Sequence, residues 1–280
     1  MIEKVIVTAS LLGCLSVGLT TAGCGSDPVE PPIVPRPYTI NFNAVVGDQP
    51  FECGTPYDDL GDDKQTAAFT DFRMFVHNFA FIDGDGIRHP LVLDEDNIWQ
   101  ARGVALIDFE DGCENGTPQL NSTVSGIAEI GQIRGLEFSI GVPNELNSPA
   151  TMLEGRGSPL NQSSLFWSWK SGYKFIRLDS DLKVFRFHLG SSDCSDDFVC
   201  QHENIATITL DDFDPGAHDV VLDVRRLLDG SILGQNTQGT APGCMGEPDD
   251  PDCEGLFARL GLGKSPIPGA ILAADRGTGE

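Results

Sequence analysis

The stretch Phe72-Arg73-Met74-Phe75-Val76-His77-Asn78-Phe79-Ala80-Phe81-Ile82 decides the fold class of this chain. It is apolar almost throughout, which is typical of a β-strand buried on both faces. The turn sequence Asp83-Gly84-Asp85-Gly86 ends it. Shorter strand-like runs recur at the regular spacing of a sandwich, at residues 38–46, 104–109, 136–142, 173–178, 184–189, 205–210 and 219–224. We therefore expect an all-β protein, a disulfide-bonded antiparallel β-sandwich with long loops.

The N-terminal residues indicate export. Residues 1–23 form a signal peptide of the lipoprotein type, with Lys4 followed by an apolar run from residue 5 to residue 19. The run is shorter than the ~20 residues that a membrane-spanning helix needs. Leu19-Thr20-Thr21-Ala22-Gly23-Cys24 is similar to a lipoprotein cleavage box, which makes Cys24 the predicted lipidation site. An ordinary cleaved signal, with Cys24 a spare cysteine, is the alternative.

The rest of the chain is predicted to be a tether and one domain. Residues 24–37 are rich in proline, which makes such a segment extended and semi-rigid. Residues 38–280 are assigned to a single β-sandwich domain, with a cysteine-containing C-terminal extension from about residue 229. Residues 54–70 are predicted to be an Asp-rich loop.

The net charge of −24 limits the possible partners. Such an acidic chain is repelled by nucleic acid and by anionic lipid. We expect no nucleic-acid partner, and contact with a membrane only through the N-terminal lipid.

Six cysteines remain after the signal peptide and Cys24 are set aside: Cys53, Cys113, Cys194, Cys200, Cys244 and Cys253. An even number in an exported chain favours disulfides, although six cysteines allow fifteen pairings. The near neighbours Cys194/Cys200 and Cys244/Cys253 can close small loops, which leaves Cys53 with Cys113. A zinc cluster is the alternative, but no CxxC spacing supports it.

The common enzyme signatures are absent from the sequence, including the GxSxG elbow, the P-loop, HExxH and the dinucleotide-binding fingerprint. We therefore predict that the protein is not an enzyme. The acidic loops favour an alternative interpretation, in which the protein is a surface adhesion or scaffold lipoprotein that binds calcium. Their carboxylates are Asp58, Asp59, Asp62, Asp63, Asp249, Asp250 and Asp252, together with the Asp83–Gly86 turn.

Two histidines lie inside predicted strands, His77 and His188. A strand histidine between aromatic residues must satisfy both ring nitrogens, by hydrogen bonds or by a metal. Satisfied core histidines are one interpretation, and a copper, zinc or iron site is the other. Trp167 and Trp169 are two residues apart, so in a strand they face the same way. They are either packing residues or indoles beside a metal.

Two sequence blocks resemble a known family. Phe166-Trp167-Ser168-Trp169-Lys170-Ser171-Gly172-Tyr173-Lys174-Phe175 and Phe187-His188-Leu189-Gly190-Ser191 are similar to the MbnP family of methanobactin-associated periplasmic copper proteins, a "metallo-mystery pair" family. The resemblance covers roughly residues 38–225. Its four family cysteines are Cys53, Cys113, Cys194 and Cys200, whereas Cys244 and Cys253 lie outside the pattern. Supporting matches are Ile40-Asn41-Phe42, Cys53-Gly54, Phe72–His77, Trp99-Gln100 and Ala105–Glu110.

The resemblance implies a function in copper handling. The family's partner is a di-haem, MauG-like peroxidase, MbnH, which oxidises a tryptophan to kynurenine, and the related proteins MopE and CorA bind Cu(I) through two histidines and a kynurenine. Carried over, His77 and His188 are the candidate ligands of a Cu(I) ion, and Trp167 or Trp169 is the modified residue, with Trp99 a weaker third candidate. The protein would be periplasmic or on the cell surface, lipid-anchored in a bacterial outer membrane.

Overall fold

The computed structural model describes residues 32–113, 116, 118–147, 157–168, 172–197 and 199–276. Ile33–Glu280 forms one compact unit, and Met1–Pro32 is counted as a separate unit. The predicted signal peptide, Cys24 and most of the tether lie outside the described residues, as does Trp169.

The described chain is built mainly of β-strands. In chain order they are β1 (Arg36–Val46), β2 (Gln49–Pro50), β3 (Pro56–Leu60), β4 (Gln65–Ile82), β5 (Arg88–Pro90), β6 (Val92–Leu93), β7 (Gln100–Ala101), β8 (Val104–Asp108), β9 (Thr123–Ala128), β10 (Gly135–Ile140), β11 (Phe166–Ser168), β12 (Gly172–Tyr173), β13 (Ile176–Ser180), β14 (Arg186–Leu189), β15 (Ser192–Cys194), β16 (Cys200–His202), β17 (Ala206–Asp211), β18 (His218–Asp223) and β19 (Ile271–Asp275). The described helices are short, namely α1 (Val224–Leu228) and α2 (Glu254–Arg259), with 3₁₀ turns at Ser163–Leu165 and Pro251–Cys253. Neither helix has the length or the apolar run that crossing a bilayer requires.

The strands form two main sheets, which confirms the predicted β-sandwich. The smaller sheet has the order β19-β18-β1-β9-β6, with β2 beside β1. The larger has the order β14-β13-β4-β10-β17, and β3, β5 and β8 also pair with β4. Pairing is antiparallel except between β1 and β18, which run parallel. Two hairpins, β11–β12 and β15–β16, stand apart from both sheets.

The central strand β4 carries a bulge that changes which face each side chain occupies. Before the bulge, Phe72 faces the second sheet and lines a small apolar cavity with Leu222 and Ile271. At Asn78, whose φ is 55°, the strand holds one residue more than β10 opposite it. Such an extra residue reverses the alternation along a strand.

After the bulge, odd-numbered residues point inward. Phe79 packs on Phe42, and Phe81 packs on Tyr38, both across the sandwich. The outward Phe75 and Ala80 are buried as well, so the strand is apolar almost throughout because both of its faces are covered. Arg73, Phe75 and His77 consequently share the outer face of the larger sheet.

Several predicted elements need correction. Residues 54–70 are not a loop, because they contain β3 and the first part of β4. The run 173–178 is divided between β12 and β13. Strands β9 and β19 were not predicted at all. All three expected disulfides are present: Cys53–Cys113, Cys194–Cys200 and Cys244–Cys253.

Candidate metal centre

His188 lies on β14, an edge strand of the larger sheet, and is 6% exposed. The register places it opposite Arg177 of β13, which in turn lies opposite Arg73 of β4. On its other side the His188 backbone N–H donates to the Cys244 carbonyl over 2.9 Å. The C-terminal extension therefore closes the edge that carries His188.

The imidazole of His188 is held by a buried carboxylate. Its Nε2 lies 2.7 Å from Oδ1 of Asp179. Arg177 donates to the other oxygen of Asp179 through Nε and Nη2, over 2.8 and 2.7 Å. Arg177 also contacts Asp71 over 3.0 Å, and Arg73 forms an ion pair with the same carboxylate. A chain of alternating charges thus runs across two strands and ends at His188.

Burial and these contacts set the protonation states of the pair. Burial lowers the pKa of His188 and outweighs the opposite effect of the Asp179 carboxylate. Burial alone would raise the pKa of Asp179, but the His188 hydrogen bond and the Arg177 charge hold it well below its usual range. At neutral pH the pair is therefore a neutral imidazole beside an ionised carboxylate.

Trp167 stands directly against this histidine. The two rings meet edge-on, with centroids 6.3 Å apart and an interplanar angle of 88°. The indole is half-buried and rests on two glycines. A Cβ at Gly190 would lie 3.1 Å from the indole, and one at Gly246 would lie 3.3 Å from it. Because neither glycine has a side chain, the indole can pack directly against the backbone at both positions.

His77 is a second buried histidine on the same sheet face. It is 9% exposed, and its Nε2 has no hydrogen-bond partner among the described residues. Burial lowers the pKa of His77 to about 4, against a smaller opposite effect of Glu145. The ring is therefore neutral at pH 7 and has an unused nitrogen, as a metal ligand requires.

The register separates His77 from His188. His77 lies four residues along β4 from Arg73, and Arg73 lies two strands from His188. In a flat sheet this offset corresponds to roughly 16 Å between the Cα atoms. A site that used both rings would lie over the strip between them, where Tyr173 packs on Phe75. The direct contact in the described structure is between His188 and Trp167.

Two of the three remaining histidines, His89 and His218, make structural hydrogen bonds. His89 contacts the Glu129 carbonyl and Asp83 through its two ring nitrogens. His218 accepts from the Asp214 N–H and lies 3.4 Å from the Asp275 carboxylate. His202 lies half-buried in the β15–β16 hairpin.

Among the described residues, one group of three metal-ligating side chains is compact, namely Cys53, Asp111 and Cys113. The two cysteines form a disulfide, so they offer no thiolate. The zinc alternative therefore has no ligand set in this part of the chain.

The acidic loops do not gather into a calcium site within the described residues. Their carboxylates instead cap turns. Asp62 accepts from the Gly230 N–H, Asp63 from those of Leu233 and Gly234. The Asp83 carboxylate likewise accepts two backbone N–H groups of its own turn. The adhesion or scaffold function therefore stays a prediction, without such a three-ligand site among the described residues.

The buried ionic chain next to His188 was missed from the sequence. A signal for it does exist in Asp71-Phe72-Arg73 and Arg177-Leu178-Asp179. In each, two opposite charges alternate with an apolar residue, which places both charges on one strand face. Two such patterns in strands otherwise apolar predict a buried ion-pair row if the strands are neighbours.

The chain is similar to known proteins over the region that contains these residues. The MbnP family model matches residues 35–246, a range that contains Trp167, His188 and His77. Among solved structures, MbnP from Methylosinus trichosporium is similar, with a TM-score of 0.76 and 27% sequence identity. The alignment covers 87% of this chain and 99% of that chain. No curated protein matches the chain significantly.

Proposed function

The chain belongs to the MbnP family, and from that premise we propose that it is an exported copper-binding protein whose site contains His188 and an oxidised Trp167. Membership of this family indicates a methanobactin-associated, copper-related protein. The observation that carries the finer proposal is the edge-on contact of Trp167 with a buried, neutral His188.

The available donors suit copper. Neutral imidazole nitrogens are good ligands for copper, and thiolates would be the main competitors in an exported protein. Here the six cysteines of the described chain form three disulfides. His188 supplies one nitrogen, and His77, with its unpartnered Nε2, is the candidate for a second. Bound copper would be Cu(I), because so few nitrogen donors suit its low coordination number.

Trp167 is the proposed site of modification to kynurenine. The indole is half-buried, so an external oxidant can reach it, while two glycines fix its position against His188. The conversion breaks the C2–C3 bond as two oxygen atoms are added, which two equivalents of hydrogen peroxide can supply through a peroxidase, and water then hydrolyses the N-formyl group and releases the C2 carbon as formate. The product carries an aniline nitrogen and a ketone, which add a donor beside His188. Trp169 is the alternative residue and lies outside the described residues.

A di-haem, MauG-like peroxidase of the MbnH type is the proposed oxidant. This protein is then the substrate of that oxidation and the holder of the metal, and it is not itself an enzyme. We place it in the periplasm or on the cell surface, anchored in the outer membrane through a lipid on Cys24. No nucleic-acid partner is proposed for a chain with a net charge of −24.

Peptide mass spectrometry of the protein produced together with the di-haem partner tests the modification. Loss of one carbon and gain of one oxygen should add about 4 Da to the peptide that contains Trp167 and Trp169. Fragment ions should assign the change to Trp167. The peptide with Trp99, a half-buried residue that precedes β7, serves as the internal comparison. An unmodified Trp167 peptide under these conditions would contradict the proposal.

A further inference from the structure

The buried carboxylate beside His188 is held in one orientation. Asp179 accepts from His188 at Oδ1, while its Oδ2 accepts two hydrogen bonds from Arg177. Arg177 is itself fixed by Asp71, whose carboxylate also binds Arg73. Asp71, Arg73 and Asp179 are each less than 9% exposed. Asp179 consequently cannot turn away from the imidazole without breaking a buried ionic network.

This geometry decides which ring nitrogen carries the proton. An ionised carboxylate only accepts hydrogen bonds, so Nε2 of His188 must be the donor. In a neutral imidazole the other nitrogen then has the free lone pair. Nδ1 of His188 has no hydrogen-bond partner in the described part of the chain, and Trp167 lies against the same ring. A carboxylate that binds the far nitrogen of a metal-ligating histidine is a common way to orient the ring.

We propose that Asp179 is a positioning residue that fixes His188 in the Nε2–H tautomer and presents Nδ1 to a soft cation next to residue 167. The cation binds Nδ1, and the aniline nitrogen of the modified Trp167 completes part of its surroundings. This inference rests on the proposed function for the identity of the metal. The tautomer itself belongs to the metal-free protein and can be measured without copper.

The variant Asp179→Asn gives a directional test. Arg177 donates only, so it should keep the amide oxygen of the variant and turn the amide NH₂ toward His188. An NH₂ group donates, and Nε2 must then accept, which moves the proton to Nδ1. The variant should thus invert the tautomer. Asp71→Asn is the matched control, because it disturbs the same buried network without touching His188.

Two-bond ¹H–¹⁵N correlation spectra of the metal-free mature chain report the tautomer. We expect the Nε2–H form in the wild type and in Asp71→Asn, and the Nδ1–H form in Asp179→Asn. An Nδ1–H wild type, or a tautomer that Asp179→Asn leaves unchanged, would overturn the proposal. The wild-type spectrum alone tests the assigned Nε2–H tautomer, even if a variant fails to fold.

Copper affinity supplies the second readout. Loss of an outer hydrogen-bond partner typically weakens metal binding 10- to 100-fold. Asp179→Asn should show that loss, Asp179→Glu should recover part of it, and Asp71→Asn, which does not contact His188, should lose clearly less than Asp179→Asn. Equal losses in Asp179→Asn and Asp71→Asn would reduce Asp179 to a structural role. Expected tautomers with unchanged copper binding in Asp179→Asn would overturn the claim that Asp179 presents Nδ1 to the cation, whereas a wild type without tight copper binding would contradict the proposed function.

Discussion

At the scale of single residues, burial gives several side chains of the larger sheet unusual protonation behaviour. Asp108 lies on β8, opposite Arg73, and is 2% exposed. Burial raises the pKa of Asp108 to about 7, although the nearby Arg73 charge acts in the opposite direction. This carboxyl therefore changes its charge near neutral pH.

Asp108 should make stability depend on pH. Between its unfolded pKa of 3.8 and its folded pKa of about 7, the folded state binds more protons than the unfolded state. The contribution of Asp108 to stability consequently falls as pH rises from 4 to 7 and is constant above that range. Asp108→Asn should gain stability relative to the wild type over this interval, by at most about 4 kcal/mol.

Urea unfolding at pH 5 and pH 8 measures the Asp108 effect. The exposed Asp85→Asn serves as the control for the removal of one carboxylate. A stability difference between Asp108→Asn and the wild type that is the same at both pH values would contradict the assigned protonation.

At the scale of elements, the bulge in β4 lets one strand serve both the core and the site. Residues before Asn78 place Arg73 and His77 on the outer face, and residues after it place Phe79 and Phe81 in the core. The left-handed conformation of Asn78 makes this reversal possible.

Substitutions at Asn78 should act through the backbone, because its side chain is exposed. Asn78→Val forces a β-branched residue into the left-handed region and should cost about 1–2 kcal/mol of stability. Asn78→Gly is the matched control and should stay within about 1 kcal/mol of the wild type, since glycine adopts this conformation readily. Chemical denaturation compares the two. Equal stabilities would show that the bulge does not require a left-handed residue.

At the scale of the whole molecule, the C-terminal extension is part of the fold. The MbnP family model ends at residue 246, but β19 completes the smaller sheet and α2 packs into the core. Cys244, paired with Cys253, lies beside the backbone of His188. The extension therefore supports the strand that carries the candidate ligand.

Removal of one extension side chain should destabilise the entire domain. Phe257 is 3% exposed in the core, so Phe257→Ala should cost about 3–5 kcal/mol. Ile267, which is 58% exposed, provides the control, and Ile267→Ala should change stability by about 0.5 kcal/mol or less. Thermal melts followed by circular dichroism measure both. A negligible effect of Phe257→Ala would mean that the extension is a detachable appendage.

The sequence predicts local features of this molecule better than long-range ones. Strong apolar runs predict strands such as β4 and β8, and short spacings between cysteines predict the two small disulfide loops. Strand β19 was missed because its pairing with β18 joins segments about fifty residues apart, and its own apolar run of four residues is short. The bulge at Asn78 was missed because apolar residues occupy both faces of β4. The sequence therefore has no apolar–polar alternation that a bulge would interrupt.

The candidate site likewise combines residues that the sequence predicts with contacts that it does not predict. His77 and His188 stand out because a histidine inside an apolar strand needs partners for its nitrogens. The Asp179 contact depends on pairing between β13 and β14, and the Trp167 contact depends on glycines at 190 and 246. No local pattern contains those distances, so only the folded chain identifies which histidine meets the tryptophan.

The most direct test is an anaerobic Cu(I) competition titration of the mature, kynurenine-containing protein. We expect the wild type and His89→Ala to bind one Cu(I) tightly, because both ring nitrogens of His89 already have structural partners. His188→Ala should lose tight binding. His77→Ala should weaken it by a smaller factor, and an unchanged His77→Ala would remove His77 from the ligand set. Tight binding that survives in His188→Ala would contradict the account.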